Sequence, residues 1–308
     1  MSTAVKTRER AAREAAGIAD IARIRTGGHG RGKRSFSPFA TIVLLAGAAY
    51  CLVPIVWVVL AASKSPRELF TSFSFAPGTG LIDNLVALSN YGGGQFWIWG
   101  ANSILYAGVG ALLSTLVSAM AGYALAKFTF RGKNVLFTVI LAGVLVPGIV
   151  LAVPQYLLLA QVGLAGSHWS VLLPSIINPL GIFLCRVFAQ AAIPDDLLEA
   201  GRLDGASELR LFATVVLPMM AQGLVTVFLL QFVGIWNNFL LPFIMLSDQD
   251  KYPLTLGLYT FLSKGAGDTD LYPLVIMGSA VAIIPLIALV MALQRFWRAD
   301  LLAGGLKG

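Results

Sequence analysis

The chain has 308 residues, of which 57% are hydrophobic and only 12% are charged. About a quarter of the residues in a soluble globular domain are charged, so this composition excludes an ordinary soluble domain and predicts an integral membrane protein. The net charge of +7 is local, because nine of the 22 basic residues lie within the first 34 positions. This distribution argues against a basic nucleic-acid-binding face on a folded domain.

Residues 1–37 are polar, basic and glycine-containing, and they precede the first apolar run. A run that begins so late and is so long does not fit a cleavable signal peptide, so we expect the first span to be retained. Residues 27–33 match Gly-x4-Gly-Lys, but Arg34 stands where a Ser or Thr would hold Mg²⁺ and no strand precedes the motif. We therefore predict a cytoplasmic tail over 1–37 that contacts anionic lipid and binds no nucleotide, followed by a transmembrane domain over 38–308.

Six membrane spans follow in chain order from the charge-free intervals, because a crossing needs roughly 20 apolar residues. The predicted spans are residues 38–62, 103–126, 135–160, 170–188, 219–246 and 271–294. Residues 84–102, which contain three consecutive glycines and several aromatic residues, predict a loop that ends at the membrane interface. Residues 163–168 supply the turn between the third and fourth spans.

The basic residues in the connections predict the orientation. With a cytoplasmic N-terminus, 18 of the 22 Lys and Arg residues fall on the cytoplasmic side and four on the outer side. We therefore expect both termini in the cytoplasm.

The central parts of the spans contain no Asp, Glu, Lys or Arg. Proton relays, voltage sensors and ion-coupled pumps place such residues within the membrane, so their absence argues against these classes. The two Cys and two His are too few for a metal site or a disulfide framework, and they form no catalytic cluster with other residues. We expect no catalytic residues, metal or cofactor, and an energy source outside the spans.

The most informative connection is the one between the fourth and fifth spans. Pro194 followed by Asp195 and Asp196 predicts the start of a helix that runs to Leu203. Asp204 and Gly205 should then break it, with Asp204 capping a second short helix through Phe212. Several leucines would lie in water on this loop, so we expect part of it to be covered by another molecule.

This connection also carries a family resemblance. Its sequence resembles the Glu-Ala-Ala loop of the permease subunits of binding-protein-dependent ATP-driven importers. The matching positions are Glu199, Ala200, Gly201, Asp204, Gly205, Ala206, Leu217 and Pro218. Asp-Gly-Ala is the form usual in carbohydrate importers. Gly201 departs from the second Ala of the motif and could loosen the helix by up to about 1 kcal/mol, and Val215 replaces Ile.

The resemblance extends over residues 38–308, to the maltose-type second permease subunit. Residues 123–133, 236–242 and 303–308 are similar to the family's second-span exit, fifth-span segment and C-terminal ending. The resemblance implies an all-α type I ABC importer permease with six spans in the bacterial inner membrane. The implied partners are a second related permease in a heterodimer, two cytoplasmic ATPase subunits, an extracytoplasmic solute-binding protein and a sugar.

The resemblance also implies roles for individual residues. Glu199 would form a salt bridge with the ATPase, and Gly205 would be a joint with φ > 0. ATP hydrolysis would belong to the partners. The alternatives are an importer of an amino acid, peptide or polyol, or a stand-alone carrier, although a carrier would need more spans or intramembrane charges.

Polar and aromatic residues within the spans are candidates for the sugar path, because amides bind hydroxyl groups and aromatic faces pack on sugar rings. They are Gln155, Tyr156, Asn178, Gln231, Trp236, Asn237 and Asn238. Interhelical hydrogen bonding is the alternative role for each of them. Asn237 and Asn238 are the leading candidates.

Overall fold

The computed structural model describes residues 38–71, 74–265 and 267–304, and side chains as far as Phe296. The predicted tail over 1–37 and the last four residues of the C-terminal motif lie outside the described residues. Within them the regular structure is helical throughout. The helices are α1 Pro38–Ala62, α2 Pro66–Thr71, α3 Leu81–Asn90, α4 Gln95–Ile104, α5 Gly110–Lys127, α6 Lys133–Val144, α7 Gly148–Gln161, α8 His168–Ile176, α9 Pro179–Ala192, α10 Asp195–Leu203, α11 Glu208–Leu211, α12 Leu217–Met219, α13 Ala221–Trp236, α14 Leu240–Met245, α15 Leu254–Lys264 and α16 Leu271–Gly304.

The chain divides at Pro54 into two compact units. In the first unit, the described residues 38–54 are the first part of α1 and carry no charged side chain. The second unit begins at Ile55 and holds the remaining helices, including all the buried clusters described below.

Among the described residues, four helical stretches are long and apolar enough to cross a bilayer: Pro38–Ala62, Gln95–Lys127, His168–Ala192 and Leu271–Phe296. Two bent pairs add to them, α6 with α7 at 104° and Glu208–Met219 with α13 at 81°. The total is six if each bent pair crosses once, which is the number that the sequence predicts.

Three predicted spans are interrupted, the one over 170–188 only briefly, at residues 177–178 between α8 and α9. The span over 135–160 is broken at residues 145–147, where Pro147 cannot continue the backbone hydrogen bonding of α6. The span over 219–246 ends its main helix at Trp236, and the separate helix α14 follows after residues 237–239.

The prediction of a loop over residues 84–102 is wrong. Most of this segment lies in α3 and α4, and α4 continues through a π-helical turn, Leu105–Val109, into α5. Phe96 and Trp99 are each 1% exposed, because they pack into the largest buried cluster beside Phe261. Of the three aromatic residues that the sequence assigns to the membrane interface, Phe96 and Trp99 are therefore core residues, whereas Trp97 is 52% exposed.

Small residues set the closest helix contacts. A Cβ atom at Gly122 of α5 would lie 2.6 Å from Cβ of Cys185 on α9, and one at Gly181 would lie 2.7 Å from Oγ of Ser118. A Cβ at Gly257 of α15 would overlap the Trp99 ring. Glycines at such crossings let helix backbones approach within a membrane domain, and here they pair α5 with α9 and α15 with α4.

Candidate functional site

The loop that resembles the Glu-Ala-Ala motif consists of two helical arms, and we call residues 195–219 the two-armed loop. Its first arm is α10, which starts after Pro194 as predicted and carries Asp195 and Asp196 in its first turn. These carboxylates lie at the positive end of the helix dipole, where they stabilise the helix. Leu198 is its buried residue and belongs to a cluster that also contains Tyr123 and Phe212.

The joint between the arms has the backbone geometry that the sequence predicts. Gly205 has φ = +80°, a region that residues with a side chain rarely occupy. The N–H of Ala206 donates to the carbonyl of Gly201, and the N–H of Gly205 donates to that of Arg202, each at 3.0 Å. This is the Schellman arrangement, which satisfies the free carbonyls at the end of α10.

The predicted capping role of Asp204 is wrong. Asp204 is the C-terminal flanking residue of α10. The second arm is capped by Ser207, whose hydroxyl oxygen accepts a hydrogen bond from the N–H of Arg210 at 3.4 Å. An N-cap side chain reaches the N–H three residues on, and because α11 starts at Glu208, only Ser207 has that spacing.

An ion pair joins the two arms. Nε of Arg202 lies 2.7 Å from a carboxylate oxygen of Glu208. The hydrogen bond from Arg202 lowers the pKa of Glu208, and the same bond raises the pKa of Arg202. Both side chains are more than a third exposed, so solvent screens the pair and it holds the arms together rather than adding much stability.

The outer surface of the two-armed loop is most apolar at two positions, although Leu197 and Met219 are also exposed, at 43% and 38%. Leu203 is 89% exposed and Leu209 is 71% exposed, whereas Leu211 and Phe212 are buried. Glu199 is exposed on the first arm and makes no hydrogen bond or salt bridge with any described residue. The loop therefore exposes two leucines and the carboxylate of Glu199. Its backbone is held by the Schellman hydrogen bonds, the Ser207 cap and the Arg202–Glu208 pair.

The remaining motif residues occupy different positions on the loop. Ala200 is exposed and Ala206 is half-buried beside the joint. Leu217 is half-buried against the same cluster as Tyr123. Pro218 is exposed near the end of the continuous helical stretch Glu208–Met219, directly after its π-helical turn, Phe212–Val216.

Four of the seven path candidates fall in two places, with Asn178 and Gln231 both beside Gly181 and Gln155 and Tyr156 adjacent on α7. Asn178 accepts a hydrogen bond from the N–H of Gly181 at 2.7 Å and caps α9. Gln231 is only 8% exposed and lies beside Gly181. Gln155 and Tyr156 lie on α7, the former half-buried and the latter exposed.

The two leading candidates, Asn237 and Asn238, lie at the break between α13 and α14 and form hydrogen bonds there. The side-chain N–H of Asn237 donates to the carbonyl of Val233 at 2.9 Å. The side-chain oxygen of Asn238 accepts from the N–H of Leu241 at 3.2 Å, and its backbone carbonyl accepts from the hydroxyl of Thr255 at 3.0 Å. The Asn238 side chain satisfies a backbone N–H at the start of α14, whereas the Val233 carbonyl already accepts from the backbone N–H of Asn237 at 3.1 Å.

Trp236 and Asn237 line one open cavity of about 490 Å³. The Trp236 ring stacks on Phe232 with ring centroids 5.6 Å apart. The cavity also contains residues that the sequence reasoning missed, namely Thr255, Tyr259 and Ser279. Thr255 and Tyr259 lie on α15, which the sequence predicts as part of an outer connection, whereas Ser279 lies on α16 within the sixth predicted span.

A family model described as the binding-protein-dependent transport system inner membrane component matches residues 114–301, more than half of the chain. The chain belongs to this family. The match includes the whole two-armed loop and the lining residues that α13, α15 and α16 contribute to the cavity. The protein is accordingly a transport subunit of the inner membrane.

Three relatives, each similar over most of the chain, are named as permeases for two oligosaccharides and for sn-glycerol 3-phosphate. The arabinooligosaccharides transport system permease protein AraQ of Halalkalibacterium halodurans is 32% identical, over 90% of this chain and 100% of that protein. The diacetylchitobiose uptake system permease protein NgcG of Streptomyces coelicolor is 30% identical, over 85% and 86%. The sn-glycerol-3-phosphate transport system permease protein UgpE of Salmonella typhi is 29% identical, over 85% and 95%.

A solved structure shares the fold. It is a chain of a bacterial ABC transporter involved in the import of the acidic polysaccharide alginate, with a TM-score of 0.72 and 23% identity. The likeness covers 88% of this chain and 99% of that one. The all-α importer-permease fold that the sequence predicts is therefore confirmed.

Proposed function

We propose that this chain is the permease subunit of an ATP-driven carbohydrate importer and that the two-armed loop is its contact with a cytoplasmic ATPase. This proposal rests on the exposed surface formed by Leu203, Leu209 and Glu199. The backbone of the loop that presents them is held by the hydrogen bonds at its joint. Exposed leucines gain free energy when a partner removes them from water, by about 25 cal/mol per Å². A free carboxylate beside them supplies a charge for an ion pair with that partner.

Because the geometry of the loop is fixed, a movement of the bound ATPase would be transmitted through the loop to the permease. The Schellman end of α10, the cap on α11 and the Arg202–Glu208 pair leave the joint at Gly205 little freedom. A partner that grips the two leucines would move both arms as one body. ATP hydrolysis belongs to that partner, in keeping with the absence of a nucleotide motif in the spans.

The cavity beside Trp236 favours a neutral sugar as the solute. An aromatic face, the Asn237 amide and the Thr255 and Ser279 hydroxyls suit the C–H and hydroxyl groups of a sugar. No Lys, Arg, Asp or Glu is among the described residues that line it, whereas a phosphate or a free amino acid would call for a charged partner. The names of the arabinooligosaccharide and diacetylchitobiose relatives agree with this assignment.

The complete importer would contain a second, related permease, two ATPase subunits and an extracytoplasmic solute-binding protein. The cavity opens widely on this chain alone, so a second permease would complete the path.

Co-expression in the native host tests the coupling surface. The chain carrying an affinity tag should retain the ATPase on purification, and the double variant Leu203→Ser, Leu209→Ser should lose it. Phe130→Ser is the matched control, because Phe130 is also exposed, at 45%, in the neighbouring connection between α5 and α6. Equal ATPase recovery from both variants would contradict the proposed surface.

Deletion of the reading frame tests the solute. Growth on arabino-oligosaccharides, diacetylchitobiose and lactose as sole carbon sources is compared with growth on glycerol 3-phosphate. We expect loss of growth on one of the neutral sugars only. Selective loss of growth on glycerol 3-phosphate would favour the polyol-phosphate alternative.

A further inference from the structure

Two side chains at the end of α5 hold the two-armed loop, and each holds a different part of it. Nζ of Lys127 donates to the carbonyl of Ile193 at 2.6 Å and to the carboxylate of Asp195 at 2.7 Å. The Lys127 side chain is only 9% exposed. The buried amine shields its hydrogen bond to the Ile193 carbonyl from water, whereas the Asp195 side chain is 75% exposed and its carboxylate remains open to solvent.

Tyr123 lies one helical turn before Lys127, on the same face of α5. Its hydroxyl group lies 3.4 Å from Oε2 of Glu208, on the second arm. Its ring packs against Phe212, with centroids 5.9 Å apart, and against Phe128 at 5.4 Å. Tyr123 is therefore fixed against the second arm, just as Lys127 is fixed against the start of the first.

Glu208 connects these contacts. Its carboxylate accepts from the hydroxyl group of Tyr123 and from the guanidinium of Arg202. A continuous set of hydrogen bonds therefore runs from α5 through the second arm to the first. A displacement of either arm must be followed by α5 or must break a charge-assisted hydrogen bond.

We propose that Tyr123 and Lys127 are positioning residues that transmit movement of the two-armed loop to α5. The inference rests on the proposed function, since it assumes that an ATPase moves the loop. Helix α5 suits this role because it packs closely on α9 at Gly122 and on α13. Movement of α5 would thereby reach the helix that ends at Trp236, beside the cavity.

Charge exchange at Lys127 and Asp195 provides the sharpest test. Lys127→Asp should preserve ATPase co-purification, because the exposed leucines and Glu199 are untouched. It should lower the amount of solute transported per ATP hydrolysed in vesicles by about tenfold or more, the effect expected for losing a charge-assisted hydrogen bond. The double variant Lys127→Asp, Asp195→Lys should recover much of this ratio. Tyr123→Phe, which removes only the hydroxyl group, should lower the ratio more modestly.

Lys133→Gln is the matched control. Lys133 lies at the same end of the helices, but its amine donates to the carbonyls of Ala126 and Phe128 and not to the two-armed loop. The Lys133→Gln variant should transport as much solute per ATP hydrolysed as the unaltered chain. The inference is overturned if Lys127→Asp leaves the ratio unchanged, or if it removes the ATPase while the remaining complexes stay fully coupled. Failure of the unaltered chain to retain any ATPase would instead refute the proposed function, and the inference with it.

Discussion

Gly201 faces Leu211 so closely that a Cβ atom at position 201 would lie 2.5 Å from Cδ2 of the leucine. Leu211 is 2% exposed, and Gly201 lies on the opposite arm of the same loop. The departure from Glu-Ala-Ala at this position therefore has a packing reason. Glycine weakens α10 slightly as an isolated helix, but it allows the two arms to approach.

We expect Gly201→Ala to lower the stability of the protein despite the better helix propensity of alanine. The propensity gain of about 1 kcal/mol is opposed by about 1 to 3 kcal/mol for forcing Leu211 out of its position. Thermal unfolding of the purified chain measures the balance. Ala200→Gly is the companion variant. Because position 200 is exposed, this change alters the helix propensity of α10 without altering the packing between the arms. A clear stabilisation by Gly201→Ala would show that the arms are not packed as described.

Gly205→Val should weaken ATPase docking, because a β-branched residue at φ = +80° strains the joint by roughly 1 to 3 kcal/mol. Gly132 offers a control with the same backbone constraint. It has φ = +85° at the start of α6, and like Gly205 it has open space where a Cβ would lie. Gly132→Val should therefore retain normal ATPase co-purification. Equal loss in both variants would indicate general misfolding and not a specific joint.

Glu199→Lys should reduce ATPase co-purification while leaving the amount of protein in the membrane unchanged. Reversing a charge that becomes partly buried at an interface costs several kcal/mol, since attraction is replaced by repulsion. Asp196→Lys is the control, because Asp196 is also exposed on α10. Asp195 is unsuitable, since it is paired with Lys127. Undiminished recovery with Glu199→Lys would remove Glu199 from the contact.

The Arg202–Glu208 pair should respond to acid. Hydrogen bonding to Arg202 lowers the pKa of Glu208 from its ordinary value of 4.5, so the pair stabilises the folded state above that value. This contribution is lost as the pH falls through the lowered pKa. The difference in unfolding temperature between the unaltered chain and Glu208→Gln should be constant from pH 8 to pH 6 and should shrink only below about pH 4.5. A difference that changes near neutrality would point to another titrating group.

Reporter fusions test the orientation that the basic residues predict. Fusions after Lys133 and Arg210 should report the cytoplasmic side, and fusions after Gly166 and Lys264 the outer side. These sites lie in connections between helices or at helix ends. One reversed internal reporter would be incompatible with six crossings.

Local sequence chemistry accounts for much of the two-armed loop. The start of α10 and its end at Gly205 were predictable because they depend on residues adjacent in the chain: two acids in a first turn and a glycine where φ must be positive. The cap on α11 is local as well: because α11 begins at Glu208, the capping position falls on Ser207 and not on Asp204.

The sequence by itself determined that the chain is embedded in a membrane, where its apolar runs lie, and that a conspicuous helical loop joins two of them. These properties follow from composition and short spacings. Only the tertiary structure decided that Trp99 is a core residue and that Lys127 binds Asp195, 68 residues away. It also decided that Trp236 shares a cavity with Tyr259 and Ser279. Such pairings depend on how distant helices pack at their small residues, and no local pattern encodes which side chains a crossing brings together.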